Sequence, residues 1–99
     1  MNIQEIKDLQ EQFGYSKLQN GIDDGSIWLF EGSVGREAMR CLEQGICFLP
    51  ENGHRDYYGN YIPSRNEIKD GTAGSLQNSI NFWDDESNYW EWELELDNE

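Results

Sequence analysis

The residues that could catalyse a reaction or bind a metal are few in this 99-residue chain. His54 is the only histidine, and its place in a His-Arg-Asp triplet before two tyrosines is more typical of a turn than of a catalytic centre. Cys41 and Cys47 lie six residues apart without a Cys-x-x-Cys motif, which favours two buried thiols over a zinc site. No nucleophile elbow, H-E-x-x-H motif or phosphate-binding loop occurs. We therefore predict that the protein is not an enzyme and uses no metal or cofactor.

One short segment has the composition of an anion-binding site. Residues 32–36, Gly-Ser-Val-Gly-Arg, open a predicted helix, and the N–H groups at a helix N-terminus attract anions. Ordinary capping of the helix explains the same residues, and we favour that explanation. A small-ligand site that combines Ser33 and Arg36 with His54 and Arg65 stays an alternative hypothesis. A calcium site is disfavoured because the chain has no D-x-D-x-D-G loop.

The most regular pattern is a row of acids near the C-terminus. Over residues 90–97 four apolar side chains alternate with four acidic ones, which predicts a strand with one apolar and one acidic face. Alternate side chains on a strand stand about 6.6 to 6.8 Å apart, which is similar in scale to the spacing of phosphates along a nucleic acid. A groove lined with lysine and arginine would accept such a row. We predict that a partner binds this row and the acids before it: Asp84, Asp85, Glu86, Glu91, Glu93, Glu95 and Asp97.

The same acidic face has a second interpretation, which is protection of a sheet edge. Charged side chains on an edge strand discourage pairing between sheets. Aligned like charges nevertheless cost roughly a few tenths of a kcal/mol per close pair. Solubility alone does not require this cost, so both interpretations stay open.

The charge of the whole chain limits its partners. Twenty acids against seven bases give a net charge of −13 at pH 7. Residues 84–99 hold eight of these acids and no base, whereas the first 83 residues carry a net charge of −5. Such a field repels nucleic acids and anionic membranes and attracts basic surfaces. We expect a basic protein as the partner, without direct binding to nucleic acid or membrane.

Local patterns predict an α+β fold in one domain over residues 1–99. Apolar periodicity, capping residues and terminal glycines predict a helix over 3–13, a second from a cap at Ser33 to Gly45, and a third from Ser75 or Thr72 to Trp83. A weaker pattern predicts a short helical turn from a cap at Ser16 to Gly25, with a turn at Asn20-Gly21 as the alternative. Apolar runs at 27–30 and 46–49 predict short buried strands, and 57–62 predicts a hairpin with Gly59-Asn60 at its tip. A capping box at Ser64 and Glu67 predicts a short helical turn. We thus expect three or four short helices on a small, mostly antiparallel sheet.

The N-terminus lacks the features of a signal peptide, so we expect a cytoplasmic protein.

Three stretches resemble short uncharacterised proteins encoded by phages and prophages. They read EGSVGREAMRCLEQGICFLP, HRDYYGNYIPSR and KDGTAGSLQNSINFW, and the resemblance covers about residues 28–83. Small, highly acidic phage proteins include inhibitors of restriction enzymes, CRISPR effectors and uracil-DNA glycosylase, several of which imitate nucleic acid. The resemblance therefore implies a candidate anti-defence protein that acts in the cytoplasm of a bacterial host.

These observations lead to three hypotheses about function. In the first, the acidic residues inhibit a host nucleic-acid-handling protein, such as a restriction or CRISPR nuclease, by occupying its basic groove. An immunity protein that neutralises a nuclease toxin fits the same charge argument. In the second, an aromatic surface around Tyr57, Tyr58 and Tyr61 serves in virion assembly or in self-association, including a possible homodimer. In the third, the protein is a small-ligand binder or an enzyme that uses Ser33, Arg36, His54 and Arg65.

Overall fold

A computed structural model describes residues 1–30 and 32–85 and confirms the small α+β fold. The described part of the chain has four α-helices and one two-stranded antiparallel sheet. Their bounds are Ile3–Phe13 (α1), Ser16–Asp24 (α2), Ser33–Gln44 (α3), His54–Arg55 (β1), Tyr61–Ile62 (β2) and Leu76–Asp84 (α4). A 3-10 helix, Ser26–Leu29, connects α2 to the segment before α3. The predicted acidic strand over 90–97 lies outside the described residues.

α1 and α4 begin at caps that the sequence predicts, whereas the predicted caps Ser16 and Ser33 are the first residues of α2 and α3, and no side chain caps either of these helices. The Asn2 side chain accepts a hydrogen bond from the Glu5 N–H at the start of α1, and Ser75 accepts one from the Asn78 N–H at the start of α4. Gly14 and Gly45 adopt the left-handed conformation that ends α1 and α3. The prediction for α2 is also confirmed, and this helix ends at Gly25.

The two predicted apolar strands are wrong, although both segments contain buried residues. Residues 26–29 form the 3-10 helix, which buries Ile27 and Trp28 and leaves Leu29 exposed. Residues 46–49 are all buried but pair with no other strand of the described chain. Their backbone groups bond to side chains and to a loop instead, which removes the need for a sheet.

The hairpin exists, and β2 lies within the predicted segment 57–62, but β1 lies before it. His54 pairs with Ile62 and Arg55 with Tyr61, so residues 56–60 form the connecting loop. The Asp56 carboxylate accepts hydrogen bonds from the N–H groups of Tyr58 and Asn60, which closes the loop around Tyr57 and Tyr58. After β2, the Ser64 N–H donates to the Glu67 carboxylate as in a capping box, yet residues 65–68 form only a turn.

One hydrophobic core joins the four helices. The largest fully buried apolar side chains are Trp83, Phe48, Ile6, Ile22 and Ile46. Phe13 on α1 stacks on Trp83 of α4, with 5.9 Å between the ring centroids. Among the described residues, none of the helices combines the length and the apolar character that a membrane span requires.

Candidate functional site

An aromatic cleft lies between α3, the 3-10 helix and the hairpin loop. Its volume is about 400 Å³, which is within the range of small-ligand pockets and is also large enough for protruding side chains of another protein. Its residues come from three separate stretches of the sequence, so no local motif reveals it. They are Trp28, Phe30, Gly32, Gly35, Arg36, Met39, Arg40, Glu43, Asp56, Tyr57, Tyr58 and Ile62.

Exposed apolar side chains dominate the rim of this cleft. Phe30 is 61% exposed, Met39 46%, Tyr57 60% and Tyr58 71%. The rings of Tyr57 and Tyr58 meet edge to face, with centroids 5.1 Å apart, so the tip of the hairpin presents a small aromatic cluster. Contiguous exposed apolar residues of this kind mark interaction surfaces. Trp28 forms part of the wall, and its indole N–H is buried without a hydrogen-bond partner in the described chain.

Of the four charged side chains in the cleft, two are already engaged. Arg40 donates hydrogen bonds to both carboxylate oxygens of Glu37 and to the side chain of Gln44. The Arg40 guanidinium holds the pKa of the Glu37 carboxyl below its usual value, so this pair is internally neutralised. Asp56 is engaged by the N–H groups of its own loop.

The other two charged side chains lie at opposite ends of α3. Arg36 is in the first turn of the helix and Glu43 in the last, and neither takes part in the ion pairs found among the described residues. Seven residues of α-helix separate them by about 10.5 Å along the axis. The cleft is therefore positive at one end, negative at the other, and apolar between them.

The structure does not bring the four residues of the small-ligand hypothesis into one cleft. Arg36 lines the aromatic cleft, whereas Ser33, His54 and Arg65 do not. Arg65 donates to the Leu49 carbonyl and to Glu51 and lies over the ring of Phe48. His54 packs so closely on Gly25 that a Cβ at this glycine would lie 2.4 Å from the imidazole Nδ1. Arg65 and His54 thus hold loops in place.

The predicted tyrosine surface divides into two parts. Tyr57 and Tyr58 line the cleft, but Tyr61 does not. The Tyr61 hydroxyl donates to both oxygens of the Glu67 carboxylate, at 2.9 and 2.7 Å, and its ring lies under the guanidinium of Arg55 at 5.8 Å. Tyr61 therefore ties β2 to the following turn, although half of its surface stays exposed.

Of the predicted acidic residues, the structure describes only Asp84 and Asp85. Both are exposed at the C-terminus of α4. The stack of Phe13 on Trp83 brings the C-terminal ends of α1 and α4 together, and neither helix has a base in its last turn. Helix C-termini carry partial negative charge, so this acidic end of the molecule combines two helix dipoles with carboxylates. Glu86, Glu91, Glu93, Glu95 and Asp97 lie outside the described residues.

The two cysteines are free and fully buried, as the sequence predicts. A hydrogen bond between the two thiols lowers the pKa of Cys41 and raises that of Cys47 above its ordinary value, and burial raises it further. No group of three or more histidine, cysteine, aspartate or glutamate residues in the described ranges could hold a metal ion.

The sequence does not predict the cleft as a whole, although Met39 is one signal of it in the sequence. Met39 falls outside the apolar stripe that the sequence predicts for α3, which contains Val34, Ala38, Cys41 and Leu42. Three of these residues are buried, whereas Val34 is exposed. An exposed methionine on an otherwise charged helix face indicates a contact surface, because methionine adapts to varied partners. The sequence also predicts Tyr57 and Tyr58 as an interaction surface, but it does not predict the contribution of Trp28 and Phe30, which lie in a segment predicted as a strand.

Comparisons of this chain with protein-family models, curated proteins and solved structures found no match. The resemblance to phage-encoded proteins over residues 28–83 therefore stays a prediction. The same holds for the single-domain organisation and for the absence of catalysis.

Proposed function

We propose that this protein is a small acidic inhibitor that binds the basic groove of a nucleic-acid-handling protein. The residues that would occupy the groove are Glu91, Glu93, Glu95 and Asp97, together with Asp84, Asp85 and Glu86. The chain would act by competition, since a groove filled with carboxylates is closed to phosphates. A restriction or CRISPR nuclease of a bacterial host is the kind of target that this chemistry fits.

The observation that carries this proposal is the uncompensated charge at one end of the chain. Residues 84–99 hold eight acids and no base, and the first two of these acids, Asp84 and Asp85, lie at the acidic end formed by α1 and α4. A base in the last turn of either helix would stabilise it, yet both turns lack one. Asp84 and Asp85 lie where they do not stabilise α4, which supports a role in binding.

The arrangement of the other reactive groups supports binding in preference to catalysis. His54 and Arg65 hold loops, Cys41 and Cys47 lie in the core, and Arg40 is paired with Glu37. These contacts give each of the residues a structural role, which supports the proposal that the protein acts by binding.

Affinity capture from a bacterial lysate tests the proposal. The tagged chain is washed at low and at high salt, and the eluted proteins are identified by mass spectrometry. We expect a nucleic-acid-binding protein that high salt releases, because the attraction depends on counterion release. A partner that withstands high salt would contradict charge mimicry.

A charge-matched pair of variants shows which acids bind. Lysine at Glu91, Glu93 and Glu95 should abolish capture of the salt-released partner. Lysine at Glu5, Asp8 and Asp70, which are exposed elsewhere on the molecule, changes the net charge equally and should leave most of the capture intact. Equal capture by both variants would show that the row of acids is not the interface.

A further inference from the structure

We infer that the aromatic cleft binds a second copy of this chain, so that two α3 helices pack antiparallel about a two-fold axis near Met39. This inference does not rest on the proposed function, because the acidic residues 84–97 take no part in it. It rests on the exposed apolar residues of the cleft and on the order of charges along α3.

The first argument is the composition of the surface. Protein interfaces are enriched in aromatic residues, methionine and arginine relative to the rest of a protein surface. Phe30, Tyr57, Tyr58 and Met39 meet this description, and each leaves two fifths or more of its surface in water. The apolar area continues beyond Phe30 into a second depression of about 240 Å³, which Leu18, Ile27 and Val34 line. Burial of such a surface stabilises a complex in proportion to its area.

The second argument is that the face of α3 is self-complementary. The residues of α3 in the cleft are Gly35, Arg36, Met39, Arg40 and Glu43, spaced so that they form one stripe, and Gly32 lies in the cleft just before the helix. Met39 lies three residues after Arg36 and four before Glu43, which puts it at the middle of the stripe. In a two-fold symmetric interface every contact occurs twice: if one residue of the first copy contacts a second residue of the other copy, the same two residues also meet with the copies exchanged. Antiparallel α3 helices that cross at Met39 therefore bring Arg36 of each copy to Glu43 of the other, twice in one interface.

The third argument concerns how closely the two helices can approach. A Cβ built on Gly32 or Gly35 would meet no atom within 4 Å, so both glycines border open space. Small residues on a helix face allow another backbone to come near. Tyr58 is the most exposed of the large apolar side chains, and it stands at the rim of the concave surface. The hairpin of one copy thus offers an aromatic group to fill the cleft of the other.

The net charge of −13 opposes any association of two copies. This repulsion is long-ranged and is screened by salt, since the Debye length falls from about 30 Å at 0.01 M to about 8 Å at 0.15 M ionic strength. The apolar contact at Met39 does not weaken with salt. We therefore expect a dimer that tightens as salt rises to physiological strength, in contrast to the binding of a basic partner.

Sedimentation equilibrium over protein concentrations from micromolar to millimolar, at low and at physiological salt, measures this association. We expect a monomer–dimer equilibrium that shifts toward dimer with salt. Met39→Glu should weaken the dimer at least tenfold, because it puts two carboxylates at the two-fold axis. A wild-type chain that stays monomeric at all concentrations, or a dimer that Met39→Glu leaves unchanged, would overturn the inference.

Exchange of the two charges tests the antiparallel arrangement itself. Arg36→Glu alone places two acids together at both ends of the interface, and Glu43→Arg alone places two bases together. Each should weaken the dimer about tenfold, and the double variant should restore it. Lys69→Glu and Asp70→Arg make the same charge changes outside the cleft and should each alter association less than twofold. If the double variant associates no better than the single ones, the reciprocal pairing is wrong.

Circular dichroism and urea unfolding of each variant establish that it folds, which is expected because Arg36, Met39 and Glu43 are exposed. Backbone NMR spectra distinguish the other occupants of the cleft. A monomer whose Met39 and Tyr58 signals shift with a lysine-rich peptide, or with a mononucleotide, would assign the cleft to that partner and overturn the inference.

Discussion

Two buried glutamines replace the missing strand partner of residues 46–49. The Gln19 amide accepts a hydrogen bond from the Phe48 N–H at 3.1 Å and donates one to the Phe48 carbonyl at 2.9 Å. Gln10 donates to the Ile46 carbonyl and to the side chain of Gln19. An amide side chain offers both a donor and an acceptor, so it can bond to an extended backbone as a neighbouring strand would. These two core glutamines thus bond to backbone groups of Ile46 and Phe48 that a strand partner would otherwise satisfy, while the N–H groups of Cys47 and Leu49 bond to the carbonyls of Cys41 and Gly74.

Substitution of Gln19 should therefore destabilise the whole fold. Gln19→Ala leaves the N–H and carbonyl of Phe48 buried without partners and removes one of the two acceptors of the Gln10 amide, which should lower the free energy of unfolding by roughly 2–4 kcal/mol. Urea unfolding measures the loss. Gln12→Ala removes an exposed glutamine from α1 and should change stability by less than about 0.5 kcal/mol. A Gln19→Ala protein as stable as this control would show that water satisfies the same groups.

Gly45 limits how closely α3 and α4 can pack. Its φ of +96° favours glycine, and a Cβ there would lie 2.7 Å from the Asn78 carbonyl oxygen and 2.8 Å from Phe82 Cβ. Gly14 has a φ of +87° but would meet nothing within 4 Å. Gly14→Ala should cost about 1–2 kcal/mol of unfolding free energy through backbone strain alone. Gly45→Ala should cost a further 1–3 kcal/mol or so, because the helices must move apart. Thermal unfolding measures both losses of stability. Equal losses in Gly14→Ala and Gly45→Ala would mean that α4 moves away from the added Cβ at no cost in free energy.

At the scale of elements, the hairpin is held to the following turn by one carboxylate. Glu67 accepts hydrogen bonds from the Tyr61 hydroxyl and from the Ser64 N–H, and these lower the pKa of Glu67 below its ordinary value. A lowered pKa means that the stabilisation is present above the pKa of the unfolded chain and is lost as pH falls through the folded value.

An NMR titration of the Glu67 carboxyl tests this link. We expect a pKa below the ordinary glutamate value in the native chain, and an increase toward that value in Tyr61→Phe, which removes the hydroxyl donor. The difference in thermal midpoint between the native chain and Glu67→Gln should shrink as pH falls through the Glu67 titration. A Glu67 pKa that Tyr61→Phe leaves unchanged would show that Tyr61 does not hold the carboxylate.

The helices could be predicted from the sequence because their signals are local. Asn2, Ser75, Gly14 and Gly45 each act within one turn of their own helix. The segments 27–30 and 46–49 could not, since an apolar run indicates burial without indicating the partner of its backbone. Long-range contacts settle that choice, such as the bond from the Trp83 indole N–H to the Ile46 carbonyl across 37 positions. The sequence predicts the hairpin but not the position of its first strand. Asp56 accepts hydrogen bonds from the N–H groups of Tyr58 and Asn60, so residues 56–60 form the loop and the first strand lies at His54–Arg55.

At the scale of the whole molecule, two surfaces with different physical chemistry are proposed to bind partners. The acidic end repels negatively charged macromolecules and attracts basic ones over long distances, and salt weakens both of these electrostatic effects. The aromatic cleft acts only on contact, and salt does not weaken its apolar part. The charge pattern follows from the sequence alone, whereas the cleft required the fold, because its walls come from three segments separated along the chain.

The two surfaces lead to opposite responses to salt in one protein. A partner bound through residues 84–97 should dissociate as ionic strength rises, while association through Met39 should strengthen. The two variants that test these claims, lysine at Glu91, Glu93 and Glu95 and glutamate at Met39, change separate regions and should act independently.

Displacement of DNA from the captured partner tests the central claim of competitive mimicry most directly. The purified partner is loaded with fluorescent DNA at low salt, and the anisotropy is followed while the chain is added. We predict that the native chain displaces the DNA at a stoichiometric ratio, and that the variant with lysine at Glu91, Glu93 and Glu95 does not. A ternary complex, with the DNA still bound while the chain is bound too, would contradict the account, because the acids would then lie outside the basic groove.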